Sequence, residues 1–339
     1  MNLTSKQTCN IFSMNATNRL VLRVNEIYHD LEGELYHEKH DDIFDGEKDR
    51  WSEISKQLFS SNRAPMTFLD VGTGTGFVPL TISRYLRGED TFICTDISQN
   101  ILNAAERNLT KGKGRCRYRF LKVDGERFIG VEDSSVDCVT VNSVMHHLPD
   151  FRQFFLELER IVKSGGSVII GHEPNQLFFR NRFLWRNYAS ISFFFNPAQA
   201  MYRIAKFFRL LSIVRVFLKK TSSGKPGEYE VLVQKVNTCL LREKVVNKPL
   251  SGTELSALID FQSPTAGGYD ADKGIDISDL LNRYGKSFSL ELYETYNHVY
   301  RISHRNWLLR KYSRLLSHFF PREGAAFFAI MRKREAVPK

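Results

Sequence analysis

A chain of 339 residues with 42% hydrophobic side chains can bury a substantial core, and its length suits one domain with a large elaboration. No stretch reaches the roughly 18 uncharged apolar residues of a membrane-spanning helix, and no basic-then-apolar leader opens the chain, so neither a span nor a signal peptide is expected. The net charge of +10 points to anionic partners, while five scattered cysteines (Cys9, Cys94, Cys116, Cys138, Cys239) without C-x-x-C spacing fit a reduced, cytoplasmic protein and argue against a cysteine metal site.

In chain order, residues 1–15 are polar and expected to fray, and Asn18 to Leu58 is helical in spacing and rich in charge. It holds Tyr28-His29-Asp30 and Leu35-Tyr36-His37-Glu38. His29, His37 and His40 imitate a metal cluster, but histidines among acids are the ordinary composition of a solvated helix face, and no metal is expected.

Thr67 to Phe77 reads as a buried strand (Phe68, Leu69, Val71) running into a glycine turn, with helical spacing from Phe77 onward through Val78, Ile82 and Leu86. The turn is D-x-G-x-G-x-G: Asp70, Gly72, Thr73, Gly74, Gly76. A dinucleotide fingerprint needs a glycine where Phe77 stands, and a P-loop needs a Lys-Ser/Thr pair that is absent. Phe92 to Asp96, followed by Ile97, is a second strand ending in an acid, about 20 residues beyond the turn, where a ribose ligand is expected. Phe120 to Asp124-Gly125 ends a third strand in another acid. Val136 to Val141 is a fourth strand, leading into Asn142-Ser143-Val144-Met145-His146-His147-Leu148-Pro149-Asp150. Phe151 to Lys163 is an amphipathic helix with Ser164-Gly165-Gly166 as its C-cap, and Ser167 to Gly171 is a fifth strand.

These five elements, over about a third of the chain, resemble the class I S-adenosylmethionine-dependent methyltransferases. The stretch from Asn142 to Asp150 is similar to the fourth motif of the ubiquinone and menaquinone branch. The resemblance implies a doubly wound, seven-stranded, mostly parallel α/β sheet with a Rossmann-like cofactor site. It assigns S-adenosylmethionine to Asp70, Gly72, Thr73, Gly74 and Gly76 (loop), Asp96 and Ile97 (ribose), Asp124 and Gly125 (adenine) and Asn142. It also implies a capping N-terminal helix, with Tyr36 the candidate for the cofactor's carboxylate; a packed tyrosine on an amphipathic helix is the equal alternative.

In an open parallel sheet ligands sit at the carboxyl ends of the strands, so Asn142, His146, His147, His172 and Glu173 fall near the reaction chamber. Methyl transfer to a hydroxyl or acidic carbon needs a base, and a histidine near neutral pKa suits it. His147 or His146 comes first, then His172 and Glu173. The competing reading of the His-His pair is a loop brace.

Residues 176–227 change character: no Asp or Glu occurs between Glu173 and Glu228, while ten Lys or Arg alternate with dense Phe and Trp. From His298 to Lys339 ten basic residues face two acids, which leaves the rest of the chain at −8. A basic amphipathic aromatic stretch, strongest at Gln199 to Lys220, reads as an interfacial element on anionic lipid. Nucleic acid is the competitor, and the N/D-P-P-Y/F signature of amino-directed base methyltransferases is missing. A helical lid with a solvated basic face is the plain alternative. Helix starts are expected at Ser251-Gly252-Thr253-Glu254 and at Ile277, and strands at Ser287 to Tyr296 and Ala325 to Met331 around a helix containing Trp307.

The division expected is an N-terminal cap (1–60), a cofactor-binding core (61–175), a basic aromatic insertion (176–285) and closing strands (286–339). The function expected is methyl transfer to O or C of a small, hydrophobic or lipid-linked acceptor by a cytoplasmic protein that can meet an anionic membrane surface. An RNA-directed enzyme and a non-catalytic cofactor-binding regulator are the alternatives.

Overall fold

The computed structural model describes residues 5–32, 36–59, 64–111, 115–195, 227–299 and 307–335, with side chains throughout except at 5–15, 36–46 and 192–195. The strands are β1 (Thr67–Val71), β2 (Thr91–Asp96), β3 (Arg117–Lys122), β4 (Val136–Asn142), β5 (Val162–Pro174), β6 (Phe288–Tyr296) and β7 (Ala326–Lys333). They form one sheet in the order β3-β2-β1-β4-β5-β7-β6, parallel except for β7, which runs against both its neighbours. The helices are α1 (Ser5–Glu32), α2 (Tyr36–Leu58), α3 (Phe77–Ile82), α4 (Gln99–Lys111), α5 (Phe151–Ile161), α6 (Gln176–Arg180), α7 (Arg182–Phe195), α8 (Glu228–Arg242), α9 (Gly252–Ile259), α10 (Ile277–Tyr284) and α11 (Trp307–Phe319).

Alternation along each strand sends neighbours to opposite faces. Leu69, Val71, Ile93, Val139, Val141 and Ile170 share one core with Phe155 and Leu158 of α5 and Leu280 and Leu281 of α10. Phe68, Phe92, Cys94, Cys138 and Ile169 share the other with Trp51 of α2, Val78 and Ile82 of α3 and Leu109 of α4. Each of these large side chains contributes about 1.5–3 kcal/mol by leaving water. The two strand cysteines are buried as small hydrophobes, as their positions suggest. Asp70, Asp96, Asn142 and Glu173 all fall at or near the carboxyl ends of their strands, on one edge of the sheet.

Two helical assemblies stand apart from the sheet cores. Val24 and Ile27 of α1 pack with Leu232, Val236 and Leu240 of α8 and Leu255 and Ile259 of α9. Phe178, Phe179 and Leu184 of α6 and α7 pack with Leu309 and Leu316 of α11. The N-terminal helix and part of the insertion therefore share a core. The starts are specified locally: Ser251 accepts from Glu254 N at 3.2 Å while Glu254 Oε2 accepts from Ser251 N at 2.8 Å, and Asp276 caps α10 through Ser278 N and Asp279 N.

Three elements differ from the sequence reading. The charged N-terminal stretch is two helices, and the first reaches back to Ser5. Helix α5 ends at Ile161 with an extended cap at Val162, and Ser164-Gly165-Gly166 lies inside β5. Pairing decides this: Val162 is in register with Val136, and a Cβ at Gly166 would stand 3.0 Å from the Asp137 carbonyl oxygen, so the glycine serves strand pairing. The stretch from Gln199 to Lys220 lies outside the described residues.

Candidate active site

The turn after β1 is built on backbone bonds: Thr73 N donates to Thr95 O at 2.8 Å and Gly76 N to Thr73 O at 2.9 Å. Gly72 sits at φ +59°, and a Cβ there would stand 2.6 Å from Val144 Cγ2, so only glycine fits between the loop and the end of β4. The Asp96 carboxylate is buried and held by amides, with Oδ2 accepting from Gly74 N and Oδ1 from Ser98 N, each at 3.0 Å. Burial raises its pKa, opposed by the Ser98 amide, the nearby His29 and the Gly74 amide. Asp70 turns inward instead. Its Oδ1 accepts from Thr140 Oγ1 at 2.6 Å, and burial pushes its carboxyl up to about 7 against the hydroxyls of Thr140 and Thr73.

After β4, one carboxylate organises the loop. Glu173 is fully buried and accepts from Val144 N (2.6 Å), Met145 N (2.7 Å), His146 N (3.2 Å) and His146 Nδ1 (2.9 Å). Four donors saturate it, so Glu173 positions the loop and is not placed to take a proton from an acceptor. His147 Nδ1 donates to the Ile259 carbonyl at 2.8 Å, which leaves Nε2 with its lone pair. Burial, with His146 and His29 alongside, lowers the His147 pKa well below the usual histidine range. The His146 and His147 rings lie 4.0 Å apart. With Asp260, just past α9, they form a group whose ligand atoms fall within 4.8 Å of one another. Two imidazoles and a carboxylate, with Glu173 behind His146, can pass a proton or hold a divalent cation.

Helix α1 closes this edge. His29 stands edge-on to His147 at 5.4 Å. Asp30 accepts from Ser98 Oγ through its carboxylate and from Asn100 Nδ2 through its carbonyl (3.1 Å), directly after Asp96 and Ile97. Leu22 and Ile97 flank Gly125: a Cβ on Gly125 would meet Leu22 Cδ2 at 2.7 Å and Ile97 Cδ1 at 3.3 Å. Lys122 to Glu26 (2.7 Å) and Arg23 Nε to Glu243 (2.8 Å) tie the same helix to β3 and to the end of α8.

The residues picked from sequence thus divide. Gly72, Thr73, Gly74, Gly76, Asp96, Ile97 and Gly125 gather at one place with His146 and His147. Asp124 is exposed and caps its own turn, accepting from Glu126 N and Arg127 N at 2.8 Å each. Asn142 Oδ1 accepts from Trp51 Nε1 at 2.9 Å, on the α2 side. His172, at φ +54° on a β-bulge, faces that side too, with Nδ1 3.2 Å from Glu47 Oε1 and 3.3 Å from the Tyr296 hydroxyl. His172 and Glu173 therefore serve different groups despite being adjacent. The side chain of Tyr36 lies outside the described residues, as do those of His37 and His40. What sequence reasoning missed is Leu22, His29, Asp30 and Asp260, which reach the site only through packing of α1 and α9.

The residues fit a nucleoside-bearing cofactor. A carboxylate accepts about four hydrogen bonds, and two amides on Asp96 leave capacity for the two hydroxyls of a ribose. Thr75 Oγ1, in the glycine loop, is buried without a hydrogen-bond partner among the described residues. The loop carries no cation of the kind a phosphate would call for.

Comparison with known proteins bears on the same segment. A methyltransferase-domain family matches residues 69–170. A demethylmenaquinone methyltransferase of Shouchella clausii is 28% identical over 108 residues, covering 32% of this chain and 45% of that protein. A ubiquinone/menaquinone biosynthesis C-methyltransferase UbiE of Hahella chejuensis is 24% identical over 111 residues, covering 33% and 44%. The chain thus spans less than half the length of these relatives. Among solved structures, a SAM-dependent methyltransferase from Aquifex aeolicus is 25% identical over 37% of this chain and 64% of its own, with a TM-score of 0.32. With the glycine loop and the acid ending β2 inside it, the matched segment identifies a methyltransferase domain at residues 69–170, about a third of the chain.

Proposed function

We propose that the protein transfers a methyl group from S-adenosylmethionine to an oxygen or carbon of a small hydrophobic or lipid-linked acceptor. The observation that carries this reading is Asp96, buried beside the glycine loop with acceptor capacity to spare. When bound, the cofactor supplies a sulfonium methyl already activated for in-line displacement. The chain's own residues then have three tasks. The backbone from Gly72 to Gly76 receives the methionine part and Asp96 the ribose hydroxyls. Leu22 and Ile97 provide apolar walls beside Gly125, and α1 excludes water. His147 takes the acceptor's proton at Nε2, its ring fixed by the Nδ1 bond to Ile259 O. Glu173 and His146 hold the loop in place. The quinone-pathway relatives, matched over the same third of the chain, support a small apolar acceptor.

The test is transfer of label from methyl-labelled S-adenosylmethionine into an organic extract containing phenolic, quinol and lipid-linked acceptors. Label in the organic phase, lost in His147→Asn while cofactor affinity is retained, supports the reading. Label recovered only in RNA overturns it. Because His147 is held neutral, the acid limb of kcat should fall below pH ~6.5, the ordinary histidine value. A limb at or above that value would contradict His147 as the base.

A further inference from the structure

Helices α7 and α11 form a surface that the methyl-transfer chemistry does not use. Their inner faces are fixed: Leu309 and Leu316 are buried against Phe178, Phe179 and Leu184, and Trp185 stacks on Tyr269 at 4.4 Å. Their outer faces carry large apolar side chains in water. Trp307 is 58% exposed, Leu315 55%, Phe319 69% and Phe183 55%. Leu308, Lys311, Leu315 and Phe319 follow one another at three- and four-residue spacing, so they share a stripe of α11 beside its buried one. Phe183 stacks on Phe320 at 5.7 Å, which carries the exposed apolar surface across to α7.

The charge carried by the two helices themselves has one sign. Neither α7 nor α11 contains an Asp or Glu, and Arg182, Arg186, Arg310, Lys311 and Arg314 are all exposed. Lys311 lies over the Trp307 ring at 4.9 Å. The sequence running on from α7 continues in the same composition, with Phe207, Phe208, Arg203, Lys206 and Arg209. Exposed Trp, Leu and Phe set among Arg and Lys are the composition of an element that seats its apolar stripe at the headgroup boundary and its cations on acidic headgroups. No described helix is long and apolar enough to cross a membrane.

Topology places this surface near the site. Helix α6, which leads into α7, follows the carboxyl end of β5, and α11 leads into β7 at Ala326, which is in register with Pro174. Both helices therefore join the sheet at the edge that carries Asp96 and Glu173.

We propose that the α7–α11 face docks the protein on an anionic phospholipid surface. The occupant follows from charge complementarity: an acid-free apolar stripe flanked by cations matches acidic lipid. A second copy of the same face would oppose cation to cation. The proposal stands apart from the methyl-transfer reading, since docking needs neither cofactor nor acceptor.

The test is sedimentation of the full chain with vesicles of phosphatidylcholine alone and of phosphatidylcholine mixed with phosphatidylglycerol. Binding to the mixed vesicles, weak on the neutral ones and weakened by salt, is expected. Arg310→Glu with Arg314→Glu should lower partitioning roughly thirtyfold or more, and Leu315→Glu with Phe319→Glu should also abolish it. All four positions are exposed, so thermal midpoints should stay at the wild-type value, which separates lost docking from lost fold. Three outcomes overturn the proposal: no binding by wild type, equal binding to neutral vesicles, or binding unaffected by both double variants. A dimer by light scattering that Leu315→Glu with Phe319→Glu dissolves, without lipid binding, identifies a second copy as the occupant and overturns it as well.

Discussion

The glycine-loop edge of the sheet and the helical layer over it are built by opposite logics. At the edge, position is set by bonds between near neighbours in the fold: amides of the loop on Asp96, Thr140 on Asp70, amides of residues 144–146 on Glu173. Above it, α1 is held by side chains from distant segments, Arg23 on Glu243 and Lys122 on Glu26, and by an apolar core shared with α8 and α9. The first region is fixed by short bonds that saturate Glu173 and leave Asp96 with acceptor capacity; the second is a set of replaceable contacts.

The largest expected effect lies where the two regions meet. His147→Asn should lower kcat by about 10²–10⁴-fold, the usual worth of a positioned base, while leaving cofactor affinity within twofold or so of wild type. A loss confined to KM would move the base elsewhere. Next comes the saturated carboxylate. Glu173→Gln keeps the shape but replaces one acceptor oxygen with a donor facing amides, so chemical denaturation should show a loss of about 3 kcal/mol. An unchanged midpoint would mean the loop is held by something else.

A pH experiment sharpens the contrast within the edge itself. Burial raises the Asp70 pKa in the folded state to about 7. Between pH ~4, the unfolded value, and this raised value, the folded chain holds a proton that the unfolded chain has lost. Stability from this group is therefore full below the lower value and falls as pH rises, by at most about 1.4 kcal/mol per unit. Comparing urea midpoints of wild type and Asp70→Asn across this window should show the wild type losing ground as pH increases. A constant difference would contradict the buried, high-pKa carboxyl. The smallest effect belongs to the helical layer. Asp30→Ala should cost about 1 kcal/mol and speed hydrogen exchange in the C-terminal turns of α1 more than in β1 or β2. Uniform exchange would mean α1 opens only with the whole fold.

The same division explains what was legible in the sequence. Strands β1, β2 and β4 announce themselves by apolar runs, and the glycines and acids that end them are local signals, so Gly72, Gly74 and Asp96 could be picked out by spacing. The helix start at Ser251 and the apolar run of the last strand were legible for the same reason. Asp260 reaches His147 across 113 positions of chain, and His29 across 118, and no periodicity encodes such contacts. Adjacent residues also misled: His172 and Glu173 point to different groups because a bulge interrupts β5 between Gly171 and Glu173. Gly165 and Gly166 read as a helix cap because their role is set by pairing with β4, which a linear scan does not contain.

Whether Asp96 and the glycine loop hold S-adenosylmethionine is decided by calorimetric titration of the full chain with S-adenosylhomocysteine. Micromolar binding is expected, weakened on the order of a hundredfold in Asp96→Ala through two lost charge-assisted hydrogen bonds and left intact in Asp124→Ala, whose carboxylate serves its own turn. A folded protein that does not bind, or one whose affinity is indifferent to Asp96, would contradict it.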